Sequence, residues 1–147
     1  MNSYEVKETA VVPDRVLVDG QGYSVVPNTE DDLVRELTEI DANARKQGQP
    51  LIATIYADRD ADDPPLLSIG LGAEESVLVY SSGRWNDEGG FSKGPRTDDT
   101  TEVAFRYGTG FSEYLGWMLI PKETAFTAAG EFFRTGRRPT SVEWGDL

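Results

Sequence analysis

The chain has 147 residues, a length typical of one domain with its own hydrophobic core, and its formal net charge is −12. It contains neither cysteine nor histidine, which excludes disulfide bonds, zinc sites built from those residues and every histidine-based scheme of acid–base catalysis. A chain this acidic repels nucleic acid and anionic membranes and attracts basic partners.

The beginning of the chain predicts strands. β-branched residues in partial alternation indicate a strand over Tyr4–Val12. Arg15–Val18 and Tyr23–Val26 have the pattern of a hairpin whose tight turn lies at Asp19-Gly20. The first twelve residues lack a basic segment followed by an apolar core, so we expect a cytoplasmic protein without a signal peptide.

A helix is predicted next. Asn28 or Thr29 can cap its N-terminus, acidic residues fill its first turn, basic residues fill its last turn, and Gly48 can end it. Apolar residues recur at helical spacing, which predicts one side facing the core and an acidic side facing solvent. These apolar residues are Leu33, Leu37, Ile40 and Ala44.

The middle of the chain predicts three strands and two loops. Leu51–Ala57 has the composition of a buried strand, and Leu66–Leu71 and Ser76–Ser81 indicate a pair of strands around a short turn. The acidic segment Asp58–Pro65 is predicted to be a loop. Gly83–Thr100 is rich in Gly, Asp, Asn and Ser and is predicted to be a long surface loop, a kind that is usually functional or mobile.

The last third predicts a second helix between strands. Thr101–Tyr107 indicates a strand, and Tyr114–Ile120 is either a strand or a buried connection. A helix is expected to start at Pro121 and to end at Thr135-Gly136, with a short strand over Val142–Trp144 after it. Strands that follow one another through short turns predict an α+β fold, in which a mostly antiparallel sheet carries two packed helices within a single domain.

The acidic loop contains Asp58-x-Asp60-x-Asp62-Asp63, which resembles the start of a calcium-binding loop. An EF-hand requires Gly at the sixth position and Glu at the twelfth, where this chain has Asp63 and Ile69, so no metal site is predicted. The segment is either a solvated hairpin tip or a rigid anionic contact for a basic groove. Pro64-Pro65 would stiffen it and lower the entropic cost of docking.

Three other short segments resemble functional motifs, and two of them have two interpretations. Gly70-x-Gly72 lacks the third glycine and the following helix of a nucleotide-binding turn, so a hairpin turn is predicted. Trp85, followed by Asp87 and Glu88, is either an exposed interface anchor or a side chain that covers a sheet edge. Tyr107–Phe111, with the sequence YGTGF, is either a contact loop or a turn.

The negative charge is unevenly distributed. Residues 1–102 contain 21 acidic and 9 basic side chains, whereas residues 103–147 contain 5 of each. The whole excess therefore lies in the first two-thirds of the chain. It serves either solubility alone or the attraction of a basic partner.

The C-terminal part carries a recognisable series of residues. After the strand SVLVY come Pro121-x-x-x-Ala125 and then Ala129-x-Glu131-Phe132-x-x-Thr135-Gly136-x-Arg138-Pro139-x-x-Val142-x-Trp144. This ending resembles the Imm1 family of bacterial immunity proteins. In part it is structural, since Gly136 can cap the helix, Phe132 and Trp144 can fill the core, and Glu131 can accept hydrogen bonds or pair with Arg138.

The resemblance implies that the protein binds a toxin and performs no catalysis. Imm1-like proteins are encoded beside polymorphic toxins and bind the toxin domain of their own system, often a nucleic-acid-modifying enzyme such as a deaminase. We therefore expect a cognate toxin domain as partner, with neither nucleic acid nor a membrane bound and with no cofactor. The expected toxin-binding residues are Asp58, Asp60, Asp62, Asp63, Trp85, Asp87 and Glu88.

Two other functions compete with toxin binding. A small carboxylate-dependent enzyme would need a deep cleft in which two acidic side chains of unequal pKa converge. A regulatory domain that binds a basic protein other than a toxin would share the acidic surface and lack the toxin gene next to its own.

Overall fold

A computed structural model describes residues 12–83 and 88–147. In these residues one sheet contains nine strands, and all of its strand pairs except one are antiparallel. Seven strands form a continuous path in the order β2-β1-β3-β4-β5-β6-β9, and the β7–β8 hairpin joins this path at β3. The strands are β1 (Val16–Val18), β2 (Ser24–Val25), β3 (Leu51–Tyr56), β4 (Leu66–Leu71), β5 (Leu78–Ser81), β6 (Gly89–Lys93), β7 (Glu102–Tyr107), β8 (Gly110–Leu115) and β9 (Glu143–Gly145).

Two helices pack on the sheet, α1 (Glu30–Gln47) and α2 (Lys122–Thr135). The side chain of Thr29 caps α1 by accepting a hydrogen bond from the Asp32 amide, and Gly48 ends α1 in the left-handed conformation at φ 66°. Helix α2 begins after Pro121, which is its N-cap, and ends at Gly136. The α+β prediction and both helices are thus confirmed, and α2 starts one residue later than predicted.

The larger core lies between the helices and one face of the sheet. Alternate residues of β3 and β4 point toward this face, as expected for pleated strands, and Leu33, Leu37 and Phe132 meet them from the helices. The ring of Tyr80 on β5 packs edge-on against Phe132 and at a tilt against Trp144, with centroids 6.2 Å apart in both pairs. Phe132 and Trp144 therefore fill the core, as the sequence predicts.

A smaller core covers the opposite face of the sheet. The β7–β8 hairpin folds over this face and places the fully buried Phe105 on Gly70 of β4. A Cβ atom at Gly70 would lie 2.7 Å from the Phe105 ring, so only glycine fits beneath it. A Cβ atom at Gly72 would lie 2.5 Å from that of Ala44 on α1. Both glycines thus serve close packing. The predicted hairpin turn is confirmed separately, because β4 and β5 pair antiparallel on either side of it.

A buried ion pair connects the two helices to the β4–β5 turn. Asp41 of α1 accepts hydrogen bonds from the Gly72 amide and from the Lys122 ammonium, both at 2.6 Å. Lys122 also donates to the carbonyl oxygen of Ala73. Because both charged side chains are largely buried, their mutual pairing holds the start of α2 against α1.

The prediction of one long loop over Gly83–Thr100 is wrong, because β6 (Gly89–Lys93) lies inside the sheet between β5 and β9. The buried Ser92 hydroxyl accepts a hydrogen bond from the Leu78 amide and donates one to the Met118 carbonyl. Two adjacent glycines at the start of β6 hid this strand in the sequence.

The segment Tyr114–Ile120 is only partly a strand. Its first two residues end β8, and a single 3₁₀ turn follows at Gly116–Met118. The bridge between Ser76 and Ile120 then joins the chain to the sheet. Except for Val12, the strand predicted over Tyr4–Val12 lies outside the described residues.

Candidate functional site

The two segments expected to bind the toxin lie at the same end of the sheet. The Asp58–Pro65 loop connects β3 to β4, and the connection from β5 to β6 leaves the sheet beside it, since Leu66 pairs with Ser81. A Cβ atom at Gly83 would lie 2.7 Å from the carbonyl oxygen of Asp63, so the two segments touch. We call this surface the acidic end and define it by Asp58, Asp60, Asp62, Asp63 and Glu88.

Not all of the expected residues can be placed. Trp85 and Asp87 lie within 84–87, outside the described residues. Of the residues on either side of them, Gly83 contacts the Asp58–Pro65 loop and Glu88 belongs to the acidic end.

Hydrogen bonds hold the Asp58–Pro65 loop in one conformation. The Asp60 amide donates to the Asp58 carboxylate at 3.0 Å, and the Ala57 amide donates to the Pro65 carbonyl at 2.8 Å, which closes the base of the loop. The side chain of Asp60 is 77% exposed. The loop therefore presents carboxylates to solvent from a backbone that is already ordered.

One arginine partly neutralises the loop. The Arg59 guanidinium lies 3.2 Å from the Asp14 carboxylate and 3.3 Å from that of Asp60. The neighbouring acidic side chains raise the pKa of Arg59, with the hydrogen bond to Asp60 as the largest cause. Residues 58–63 contain four aspartates and this one arginine, so the loop keeps a net negative charge.

A buried arginine that the sequence analysis overlooked supports the loop from below. Arg15 donates from Nη1 to the Ala57 carbonyl at 2.7 Å and from Nε to the Phe133 carbonyl at 3.0 Å. Burial lowers the pKa of Arg15, and the nearby Asp58 carboxylate opposes this shift. Arg15 thus fastens the base of the loop to the end of α2. The sequence contains a signal for this role. Arg15 stands two residues before the buried Leu17, and alternate residues of a strand face the same side of the sheet.

The C-terminal residues that resemble Imm1 border the acidic end. Arg138 donates to the Gly89 carbonyl at 2.7 Å, lies 3.7 Å from the Glu88 carboxylate, and stacks 5.7 Å above the centre of the Trp144 ring. The Trp144 indole donates to the Pro139 carbonyl at 2.8 Å. Arg138 therefore holds Gly89, the first residue of β6, in place next to Glu88 of the acidic end.

Glu131 accepts hydrogen bonds, which is one of the two roles considered in the sequence. Its carboxylate accepts hydrogen bonds from the amide and hydroxyl of Thr140, both at 2.8 Å, and from the Ser141 amide at 3.2 Å. Burial alone would raise the pKa of Glu131, but these hydrogen bonds outweigh it and lower the pKa. Glu131 thus holds the turn before β9 through hydrogen bonds, whereas Arg138 contacts Glu88.

Within 12–83 and 88–147, no three acidic side chains are grouped so as to hold a metal ion. A cavity of about 520 Å³ adjoins the acidic end, and its lining includes Glu88 together with Glu131, Arg138 and Trp144 of the C-terminal residues. Neither helix in this part of the chain is long and apolar enough to cross a membrane.

Comparison with known proteins identifies one family. The model of the family described as immunity protein Imm1 matches residues 21–146. The match includes both helices and every strand from β2 to β9, together with the acidic end and the C-terminal residues around Arg138. No match is found among curated proteins.

Proposed function

Because the chain belongs to the Imm1 family of immunity proteins, we propose that it neutralises a cognate toxin by binding to it. The observation that carries this proposal is the family match over residues 21–146. The absence of histidine and cysteine from the sequence is consistent with a protein that acts by binding. Its partner is then a protein, the toxin domain encoded beside its own gene.

We further propose that the acidic end covers the active-site cleft of the toxin. A toxin that acts on nucleic acid, such as a deaminase, needs a basic cleft for its substrate. The carboxylates of Asp58, Asp60 and Asp62 would occupy that cleft in place of phosphates. The restriction of the net charge of −12 to residues 1–102 supports this assignment.

The loop is well suited as a contact surface because its backbone is ordered before binding. The hydrogen bonds of Asp58, Ala57 and Arg15 fix its backbone, so little conformational entropy is lost on docking. Long-range attraction between the carboxylates and a basic cleft accelerates the encounter. Trp85 would then bury at the centre of the interface and slow dissociation.

The site can be tested by charge reversal with a matched control. The triple variant Asp58→Lys, Asp60→Lys and Asp62→Lys changes the net charge by the same amount as a control triple on the rest of the surface. The control is Glu102→Lys, Glu113→Lys and Glu123→Lys, whose side chains are exposed and form no ion pair within the described residues.

Protection of cells that express the toxin domain is the measurement. The account expects the Asp58 triple variant to lose protection and the control triple to retain it. Full protection by the Asp58 variant would overturn the acidic end as the site. Equal loss in both triples would show that total charge matters and would also overturn this assignment.

A further inference from the structure

The opposite end of the sheet carries exposed aromatic side chains. Away from the two ends of the chain, the described residues include three exposed large hydrophobic side chains. They are Tyr23 at 43% exposure, Tyr107 at 51% and Phe111 at 74%. Aromatic residues on a surface are typical of interface centres, since they bury much area with few rotatable bonds.

Contacts between two turns join the segments that carry these aromatic residues. The Gln21 side chain of the β1–β2 turn donates to the Gly108 carbonyl of the β7–β8 turn at 2.9 Å. A Cβ atom at Gly20 would lie 3.3 Å from the Gly108 amide, so the two backbones approach closely. The two turns therefore form one continuous surface, with Tyr23 after the first turn, and with Tyr107 and Phe111 on opposite faces of the hairpin at the second. We call this surface the aromatic end.

A groove of about 400 Å³ adjoins Tyr23, between the β1–β2 turn and α1. Buried Ile40, Ala44 and Leu51 contribute apolar atoms to its lining, and its charged lining residues are Asp19, Glu36 and Glu39. Neither lysine nor arginine lines it. Within 12–83 and 88–147 these three carboxylates form no ion pair, although Glu36 accepts a hydrogen bond from the Tyr23 hydroxyl at 2.6 Å.

The lining of the groove fits a lysine or arginine side chain. The aliphatic stem of such a side chain can lie along Ile40 and Leu51 while its charged head reaches Glu36 or Glu39. The face of Tyr23 offers an additional attraction for a cation. A second copy of this chain is a poor occupant, because the groove is lined by three carboxylates and by neither lysine nor arginine, and it therefore repels another acidic molecule.

We propose that the aromatic end is a second contact surface for the toxin, which inserts a lysine or arginine into the groove and packs an apolar side chain against Phe111. This inference rests on the proposed function, since it takes the toxin as the partner. The two surfaces are separate: β3 spans six residues between Leu51 in the groove and the base of the acidic loop, a distance of about 20 Å. A toxin domain that contacts both would extend along the sheet.

The test compares two double variants of the full chain. The first, Glu39→Lys with Phe111→Asp, places a like charge in the groove and removes the exposed ring. The matched control, Glu123→Lys with Thr127→Asp, makes the same charge changes at exposed positions of α2. Thermal unfolding verifies that both variants fold, and calorimetry measures their affinity for the toxin domain encoded beside the gene.

The inference expects the first variant to bind the toxin domain about tenfold more weakly, or worse, as for the loss of an interface hot spot. The control variant should bind like the unmodified protein. Unchanged affinity in the first variant, with binding lost in the Asp58 triple, would overturn the aromatic end and leave the proposed function standing. No binding by the unmodified protein would overturn both. If the unmodified protein forms a homodimer and Phe111→Asp dissociates it, the surface serves self-association, and the inference is overturned.

Discussion

The packing of Phe105 on Gly70 predicts that Gly70→Ala destabilises the protein. The new Cβ atom would lie 2.7 Å from Cε2 of Phe105 and 3.0 Å from both Cζ of that ring and Cγ1 of Val77. The ring has no room to retreat, since Phe105 is fully buried and packs edge-on against Tyr114 with centroids 5.8 Å apart. The added methyl group must therefore displace the β7–β8 hairpin.

Overpacking of a well-filled core by one methyl group costs about 1–3 kcal/mol. For a chain of this size, a loss of about 2 kcal/mol lowers the melting temperature by roughly 6 °C. Urea unfolding followed by tryptophan fluorescence measures the free energy, and calorimetry measures the melting temperature. Gly110→Ala is the matched control, because a Cβ atom there meets nothing within 4 Å; we expect a change within about 0.5 kcal/mol.

A double-mutant cycle tests the cause of the destabilisation. Phe105→Leu removes the ring that Gly70 accommodates, so Gly70→Ala should cost less in that background than in the unmodified protein. The account expects a coupling of about 1 kcal/mol or more between the two sites. Additivity within about 0.5 kcal/mol would refute the packing explanation, even if Gly70→Ala alone proved destabilising.

Two further predictions concern polar groups that connect distant parts of the fold. Asp41→Ala leaves the Lys122 ammonium and the Gly72 amide without their acceptor, and urea unfolding should show a loss of about 2 kcal/mol; a loss below about 0.5 kcal/mol would contradict the role of this ion pair. The folded protein lowers the pKa of Glu131. The ionised Glu131 carboxylate therefore stabilises the fold at pH values above its pKa in the unfolded chain, about 4.3, and this stabilisation is lost as the pH falls through its pKa in the folded protein. Stability should therefore fall more between pH 5 and pH 3 in the unmodified protein than in Glu131→Gln, and equal pH dependence would contradict this.

Helix α1 was predictable because its signals are local. Thr29 forms its cap within three residues, Gly48 ends it, and apolar residues repeat along a single segment. Strand β6 was missed for the opposite reason. Gly89-Gly90 disfavours an extended strand by itself, and only the neighbouring strands β5 and β9 hold it in the sheet.

The two candidate surfaces differ in the same respect, since one is formed by contiguous residues and the other by residues from distant segments. The Asp58–Pro65 loop is contiguous in sequence, so its acidity and its position between two strands were visible from the chain alone. The groove combines Asp19 from a turn, Glu36 and Glu39 from α1, and Leu51 from β3, which only the folded structure brings together. Tyr107–Phe111 was open to interpretation as either a contact loop or a turn; in the structure Gly108 and Thr109 form a turn between β7 and β8, and the exposed Tyr107 and Phe111 lie in the strands beside it.

The central claim is that this protein binds and neutralises a toxin. It is tested most directly by co-expressing the full chain with the toxin domain encoded beside its gene, and by isolating any complex through a tag on the toxin. The account predicts that cells survive and that the two proteins elute together as a stable one-to-one complex. Cell death with no complex, while the immunity protein is present and folded, would contradict it.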